Sequence, residues 1–118
     1  MLGNIRKKYR SVGIDLAEVS RFRPLCKKPQ QHLLRKLFSA QEIGYCLGFR
    51  DPASHFAGTF AAKEAVAKVL GARKFAFAEI EIRRAKDGAP EAWRKGKKLN
   101  VALSISHTAS LAVAIAFG

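Results

Sequence analysis

The stretch from Asp51 to Gly71 constrains this chain more than any other. Asp51-Pro52 opens it with a cap residue followed by proline at the first helical position, and Gly71 closes it. On a helical wheel Phe56, Phe60, Ala62, Val66, Ala67, Val69 and Leu70 form one broad apolar arc. Lys63 points into that arc, where a charge is costly unless it is paired or reaches a ligand. Glu64 and Lys68 lie one turn apart at its edge. That spacing suits an ordinary helix-stabilising ion pair, and it equally suits a metal or phosphate site.

Other segments fall around this helix. Val12, Ile14 and Leu16 alternate with Gly13 and Asp15, which predicts a strand with Asp15 on the face opposite the apolar one. Gly13 would let a ligand or another backbone come close. Residues 16–37 predict helix in pieces, with breaks at Pro24 and Pro29. Ser39 followed by Glu42 is a capping-box pattern, so a helix is expected from Ala40. The second half reads as β. Ile80 and Ile82 alternate with acids and Arg83, Asp87-Gly88 signals a turn, and Leu99–Ile105 and Leu111–Phe117 alternate again. In the last of these the alternate positions are Ala112, Ala114 and Ala116, a small-residue face that can pack on a helix or on another subunit. The fold class expected is α+β: one domain, residues 11–118, with a long central helix packed on a small, mainly antiparallel sheet. Residues 1–10 read as a basic lead-in.

With 118 residues, nearly half of them apolar, the chain can bury a real core without disulfides. Twenty-two Lys and Arg against nine Asp and Glu give a net charge of +13, so an acidic partner or substrate is expected. Nucleic acid is one such partner, but the eight phenylalanines fall mostly at core-like positions and no nucleic-acid motif is present. Cys26 and Cys46 make neither a C-x-x-C nor a zinc spacing with the three histidines, which points to a reducing, cytoplasmic setting. No apolar run approaches membrane-spanning length.

Four motifs occur in order: Gly13-Ile14-Asp15, Phe38-Ser39-Ala40-Gln41-Glu42, Phe60-Ala61-Ala62-Lys63-Glu64-Ala65 and Ser104-Ile105-Ser106-His107-Thr108. Together they resemble the phosphopantetheinyl transferases, in particular the small, single-domain holo-(acyl-carrier-protein) synthase type, from about residue 11 to the end. The resemblance implies transfer of the phosphopantetheine arm of coenzyme A to a serine of an apo acyl carrier protein, with Mg²⁺ as cofactor. It implies Asp15 and Glu64 as metal ligands, and Lys68 as a cation at the reacting phosphate. Lys63, His107, Ser106 and Thr108 become expected contacts to coenzyme A. Glu42 becomes a candidate general base, with the capping box as its other reading. Arg21 is placed toward the acidic carrier protein, and a homotrimer sharing its sites between neighbours is expected.

The chain departs from the family pattern at three places. Thr59 stands where the motif usually has Arg, so one cationic phosphate contact is missing. The loop after the main helix is cut to Gly71-Ala72-Arg73-Lys74, whose Arg73 is expected to take over a phosphate contact. The helix that the family has before S-x-S-H is expected to be shortened to Glu91–Lys98.

Overall fold

The computed structural model describes residues 11–71 and 77–118; the basic lead-in and Arg73 lie outside the described residues. Strand β1 (Val12–Glu18) leads through three 3₁₀ turns, two of them with Pro24 and Pro29 at their first or second position, into helix α1 (Gln31–Leu37). Helix α2 (Ala40–Leu47) follows, then α3 (Pro52–Leu70). Strands β2 (Ile80–Arg84), β3 (Pro90–Arg94), β4 (Lys97–Lys98), β5 (Ala102–His107) and β6 (Leu111–Phe117) complete the order. They form two antiparallel sheets, β1-β6-β5 and β2-β3-β4.

Helix α3 ends as its sequence predicts, with Gly71 left-handed at φ 64° and its N–H on the Ala67 and Lys68 carbonyls. Its start differs from expectation. Asp51 makes no side-chain cap; its carboxylate binds Arg23 at 2.8 Å, while the Ser54 hydroxyl donates to the Asp51 carbonyl. The helix also has no single apolar face. Ala53, Phe56, Ala57, Ala61, Ala62, Ala65 and Val66 are all buried, together with Thr59 and Lys63. It runs through the middle of the molecule, with the first sheet on one side and α2 and β2 on another.

Small residues set the closeness of the helix–sheet contact. A Cβ at Gly13 would run into the Ala65 carbonyl oxygen, and one at Gly58 would stand 3.0 Å from an Ile105 methyl. The backbone that Gly13 admits is therefore that of α3. On the sheet, the inward rows are Gly13–Ala116–Leu103, Asp15–Ala114–Ile105 and Ala17–Ala112–His107. The outward rows are Val12–Phe117–Ala102, Ile14–Ile115–Ser104 and Leu16–Val113–Ser106. The large apolar residues thus point away from the core: Val12, Ile14, Leu16, Ile115 and Phe117 are each about half exposed or more, while Ala112, Ala114 and Ala116 are buried. The alanine face packs internally.

Aromatic rings fill the opposite side of α3. Phe22 meets Phe60 at 5.5 Å, Phe38 meets Phe56 at 5.0 Å, and Phe60 meets Phe77 at 5.0 Å. The segment Glu91–Lys98, expected as a short helix, is a β-hairpin. Lys95 and Gly96 both take positive φ, 50° and 77°, as a tight two-residue turn needs. Ala92 is buried between the partly buried Glu91 and Trp93, so the period of two overrides the helical preference of Glu, Ala, Arg and Lys.

Candidate active site

Lys63 and Glu42 form a closed unit inside the core. Both side chains are fully buried and their charged groups stand 2.8 Å apart. The Lys63 ammonium also donates to the Leu37 carbonyl at 2.9 Å and lies 4.7 Å from the Phe77 ring centre. The Glu42 carboxylate accepts from the Ser39 and Ile82 amides, both at 2.8 Å, and Ser39 Oγ accepts from the Glu42 amide, completing the capping box. Every partner of this pair lies within the protein. The phosphate contact expected of Lys63 and the base role expected of Glu42 are therefore corrected: neither group reaches a surface where a ligand could meet it.

Five residues along the helix, Lys68 does something else. It makes no bridge to Glu64. Its ammonium donates to the Ile14 carbonyl at 2.6 Å and lies 3.5 Å from Asp15 Oδ1, across the groove between α3 and β1. Lys68 is half exposed, and Asp15 is 21% exposed. Glu64 is half-buried and has no hydrogen bond or ion pair among the described residues. Because α3 side chains lean toward its N-terminus, the Glu64 carboxylate projects along the helix toward the turn of Ala61. Gly13 lies on Ala65 and Gly118 on Val69, so β1 runs antiparallel to α3. Asp15, the next inward position after Gly13, therefore comes level with about Ala61, some four helical residues further back. Two carboxylates and one exposed ammonium thus border a single groove.

As a donor set, Asp15 and Glu64 would offer hard carboxylate oxygens. Among the described residues no three His, Cys, Asp or Glu side chains converge as a closed metal cage. Two carboxylates without a cage suit Mg²⁺, which keeps waters and takes further oxygens from a phosphate substrate.

His107 stands elsewhere on the same inner face of the sheet. It is two strands and two residues from Asp15, about 12 Å at ordinary strand spacings. It opens into a depression lined by Phe49, Asp51, His55 and Thr108 and continuous with Tyr45 and Arg84. Ser106 is not brought into that depression; it points to the outer face, as alternation along a strand requires. Thr108 Oγ1 accepts from the Ser110 and Leu111 amides at 3.2 and 3.1 Å, so this hydroxyl builds the β5–β6 turn. Arg21 is exposed, with its guanidinium 5.6 Å from the Phe60 ring. Thr59 is buried, donating to the His55 carbonyl at 2.8 Å and meeting Cys46 Sγ at 3.6 Å. Burial pushes the Cys46 thiol up to about 12, an unreactive cysteine.

Sequence reasoning missed Tyr45, Phe49, His55 and Arg84 as neighbours of His107. They come from α2, the α2–α3 loop, α3 and β2, and no spacing in the chain announces that meeting.

The four motifs and this fold identify the class. The pattern of the 4'-phosphopantetheinyl transferase superfamily matches residues 11–116, and the chain belongs to that superfamily. Within it, the chain is 40% identical to a holo-[acyl-carrier-protein] synthase of Chlamydia caviae, covering 89% of this chain and 93% of that one. It is 37% identical to the synthase of Chlorobaculum parvum, over 89% and 94% of the two chains. Among solved structures it resembles the Helicobacter pylori holo-[acyl-carrier-protein] synthase in complex with coenzyme A, at TM-score 0.76 and 30% identity over 90% and 97% of the chains. The Bacillus anthracis synthase in complex with CoA (3',5'-ADP) superposes at TM-score 0.73, again at 30% identity, over 90% and 92%.

Proposed function

We propose that this chain is a holo-[acyl-carrier-protein] synthase: it transfers the 4'-phosphopantetheine arm of coenzyme A to a serine hydroxyl of an apo acyl carrier protein. The serine oxygen bonds to the β-phosphorus, the bond to the departing phosphate oxygen breaks, 3',5'-ADP leaves, and the serine proton is lost. The observation behind this reading, beyond the family itself, is the groove in which Lys68 has turned away from Glu64 toward β1. That turn leaves the Glu64 carboxylate without a partner among the described residues, on the groove that Asp15 borders.

Asp15 and Glu64 would hold Mg²⁺, which when bound supplies positive charge to the pyrophosphate. Lys68, anchored by the Ile14 carbonyl, presents its ammonium to the transferring phosphate and steadies charge that grows there. His107 offers an imidazole to a coenzyme A phosphate. The acidic carrier protein would be drawn by the +13 chain, with Arg21 exposed for contact. The same reading places the protein in the cytoplasm, and both described cysteines are free thiols. Among the described residues no helix is long and apolar enough to cross a membrane.

A homotrimer with shared sites belongs to this proposal. Its support is the outward apolar face of the first sheet, together with the gap of about 12 Å between Asp15 and His107. A neighbouring copy would cover that face and bring the two halves of a site together.

The test is direct. Purified protein is mixed with apo acyl carrier protein, coenzyme A and Mg²⁺, and the carrier's intact mass is recorded. A gain of one phosphopantetheine, abolished by EDTA, is expected. Coenzyme A binding without any mass gain on several carriers would replace this reading with that of a non-catalytic relative.

A further inference from the structure

Three rings stand in sequence at the N-terminal end of α3. Phe49 stacks face to face on His55, with centroids 3.6 Å apart and planes 13° apart. His55 meets the His107 ring edge-on at 5.1 Å. Arg84 lies 4.6 Å from the Tyr45 ring centre and borders the same depression. The titratable and charged groups around His55 are therefore Asp51 at the start of its own helix, Arg50 in the preceding loop, Tyr45 of α2, Arg84 of β2 and His107 of β5. Asp51, the one acid, is already held by Arg23 at 2.8 and 3.4 Å. The depression thus gathers basic groups whose charge no free carboxylate among the described residues offsets.

We infer that His55 is a further binding residue of this depression: stacked on Phe49 and set against His107 and Arg84, it takes up a proton as an anionic phosphate enters. The inference rests on the coenzyme A reading above and concerns its nucleotide end. The guanidinium groups of Arg50 and Arg84 border the same depression as His55, so without a ligand the charged form of His55 is disfavoured. Burial holds His55 below the ordinary imidazole range; the His107 and Arg84 charges push the same way, and Asp51 opposes them. A phosphate reverses the balance. It pairs with the crowded cations, and protonation of His55 becomes favourable. The array also bears on the cation missing at position 59. Thr59 is buried one turn along the same helix, and its hydroxyl binds the His55 carbonyl. His55 and Arg84 place titrating and permanent positive charge at the same end of α3.

The probe is 3',5'-ADP, titrated into the full chain by calorimetry at pH 6 and pH 8, in buffers of different ionisation enthalpy. Net proton uptake at the lower pH is expected, with affinity about tenfold higher at pH 6 than at pH 8, as for a group shifted by about one pKa unit. His55→Phe keeps the stack on Phe49 but cannot titrate. It should lose most of the pH dependence and bind about tenfold more weakly at pH 6, while approaching the parent at pH 8. Equal affinity and equal proton uptake in parent and variant would overturn the inference and leave the coenzyme A reading standing. Absence of 3',5'-ADP binding in the parent protein would overturn both. Should His55→Phe fail to fold, the ring protons of His55 are followed by NMR in the parent chain. Their titration should move to higher pH when 3',5'-ADP is added, and an unmoved titration would refute the proposal.

Discussion

Lys63 and Lys68 sit five residues apart on one helix, each beside a carboxylate, and they do opposite things. Lys63 is sealed against Glu42 with every hydrogen bond met inside the protein. Lys68 reaches 3.5 Å toward Asp15 with half its surface in water. The difference comes from what each turn of α3 faces. At position 63 the neighbours are α1, α2 and β2, which close over the charge and supply the Leu37 carbonyl. At position 68 the neighbour is the single strand β1 at the edge of its sheet, which leaves the other side open. A buried pair specifies how α2, α3 and β2 sit together; an open pair can exchange its partner for a ligand.

The largest expected effect lies at the buried pair. Glu42→Ala leaves an ammonium in the core and should cost about 3–5 kcal/mol of stability, read from the urea midpoint at unchanged slope. A loss under about 1 kcal/mol would mean that the core admits water and that the two lysines are more alike than their burial suggests.

Lys68→Ala inverts the pattern. Transfer to the carrier should fall by about 10²–10³-fold, the scale for removing one group that stabilises growing charge. Stability should change by less than about 1 kcal/mol, because the ion pair is half exposed. A variant that unfolds like Glu42→Ala, or transfers at the parent rate, would break the comparison from the other side.

Glu64→Gln sharpens it further. Glu64 has no partner to lose among the described residues, so the melting temperature should hold or rise slightly, while the Mg²⁺ needed for half-maximal transfer rises about tenfold or more. Transfer with an unchanged Mg²⁺ requirement would remove Glu64 from the metal assignment. Asp15→Asn should act in the same direction.

The smallest effect is a response to acid at the edge of the buried unit. Burial raises the Glu81 carboxyl, but hydrogen bonds from Ser39 and Arg83 outweigh it, and the group ends below its ordinary value of 4.5. A lowered carboxyl binds its proton less readily in the folded state. Its contribution is therefore complete above about pH 4.5 and is lost as pH falls through the lower folded value. Partial exposure limits it to a few tenths of a kcal/mol. Glu81→Gln should flatten the stability curve between about pH 5 and pH 3 by that amount, and an unchanged curve would place the acid response elsewhere.

Much of this was readable in the chain, because the signals were local. Pro52 and Gly71 mark the ends of α3, though Asp51 does not cap it; Ser39 and Glu42 set the start of α2, and alternation marked β1, β2, β5 and β6. The motifs placed Asp15, Glu64 and Lys68, and the fold brings their elements to one groove. What the sequence could not decide were choices between partners distant in the chain. Glu64 and Lys68 have the spacing of a helix pair, yet Lys68 prefers the Ile14 carbonyl 54 residues away. Glu91–Lys98 has helical composition, yet the Lys95-Gly96 turn and the burial of Ala92 make it a hairpin.

Alternation in β1 and β6 likewise fixed two faces without saying which faces inward. Large apolar side chains would ordinarily be buried, but here the inward positions of β1 and β6, close against α3, hold Gly13, Asp15, Ala17 and the three alanines of β6. Local chemistry, being a matter of adjacent residues, determined most of the elements and the four motifs. Only the tertiary structure decided which lysine is sealed, which carboxylate is left without a partner among the described residues and which rings surround His107, because each depends on what other segments bring within hydrogen-bonding or packing distance.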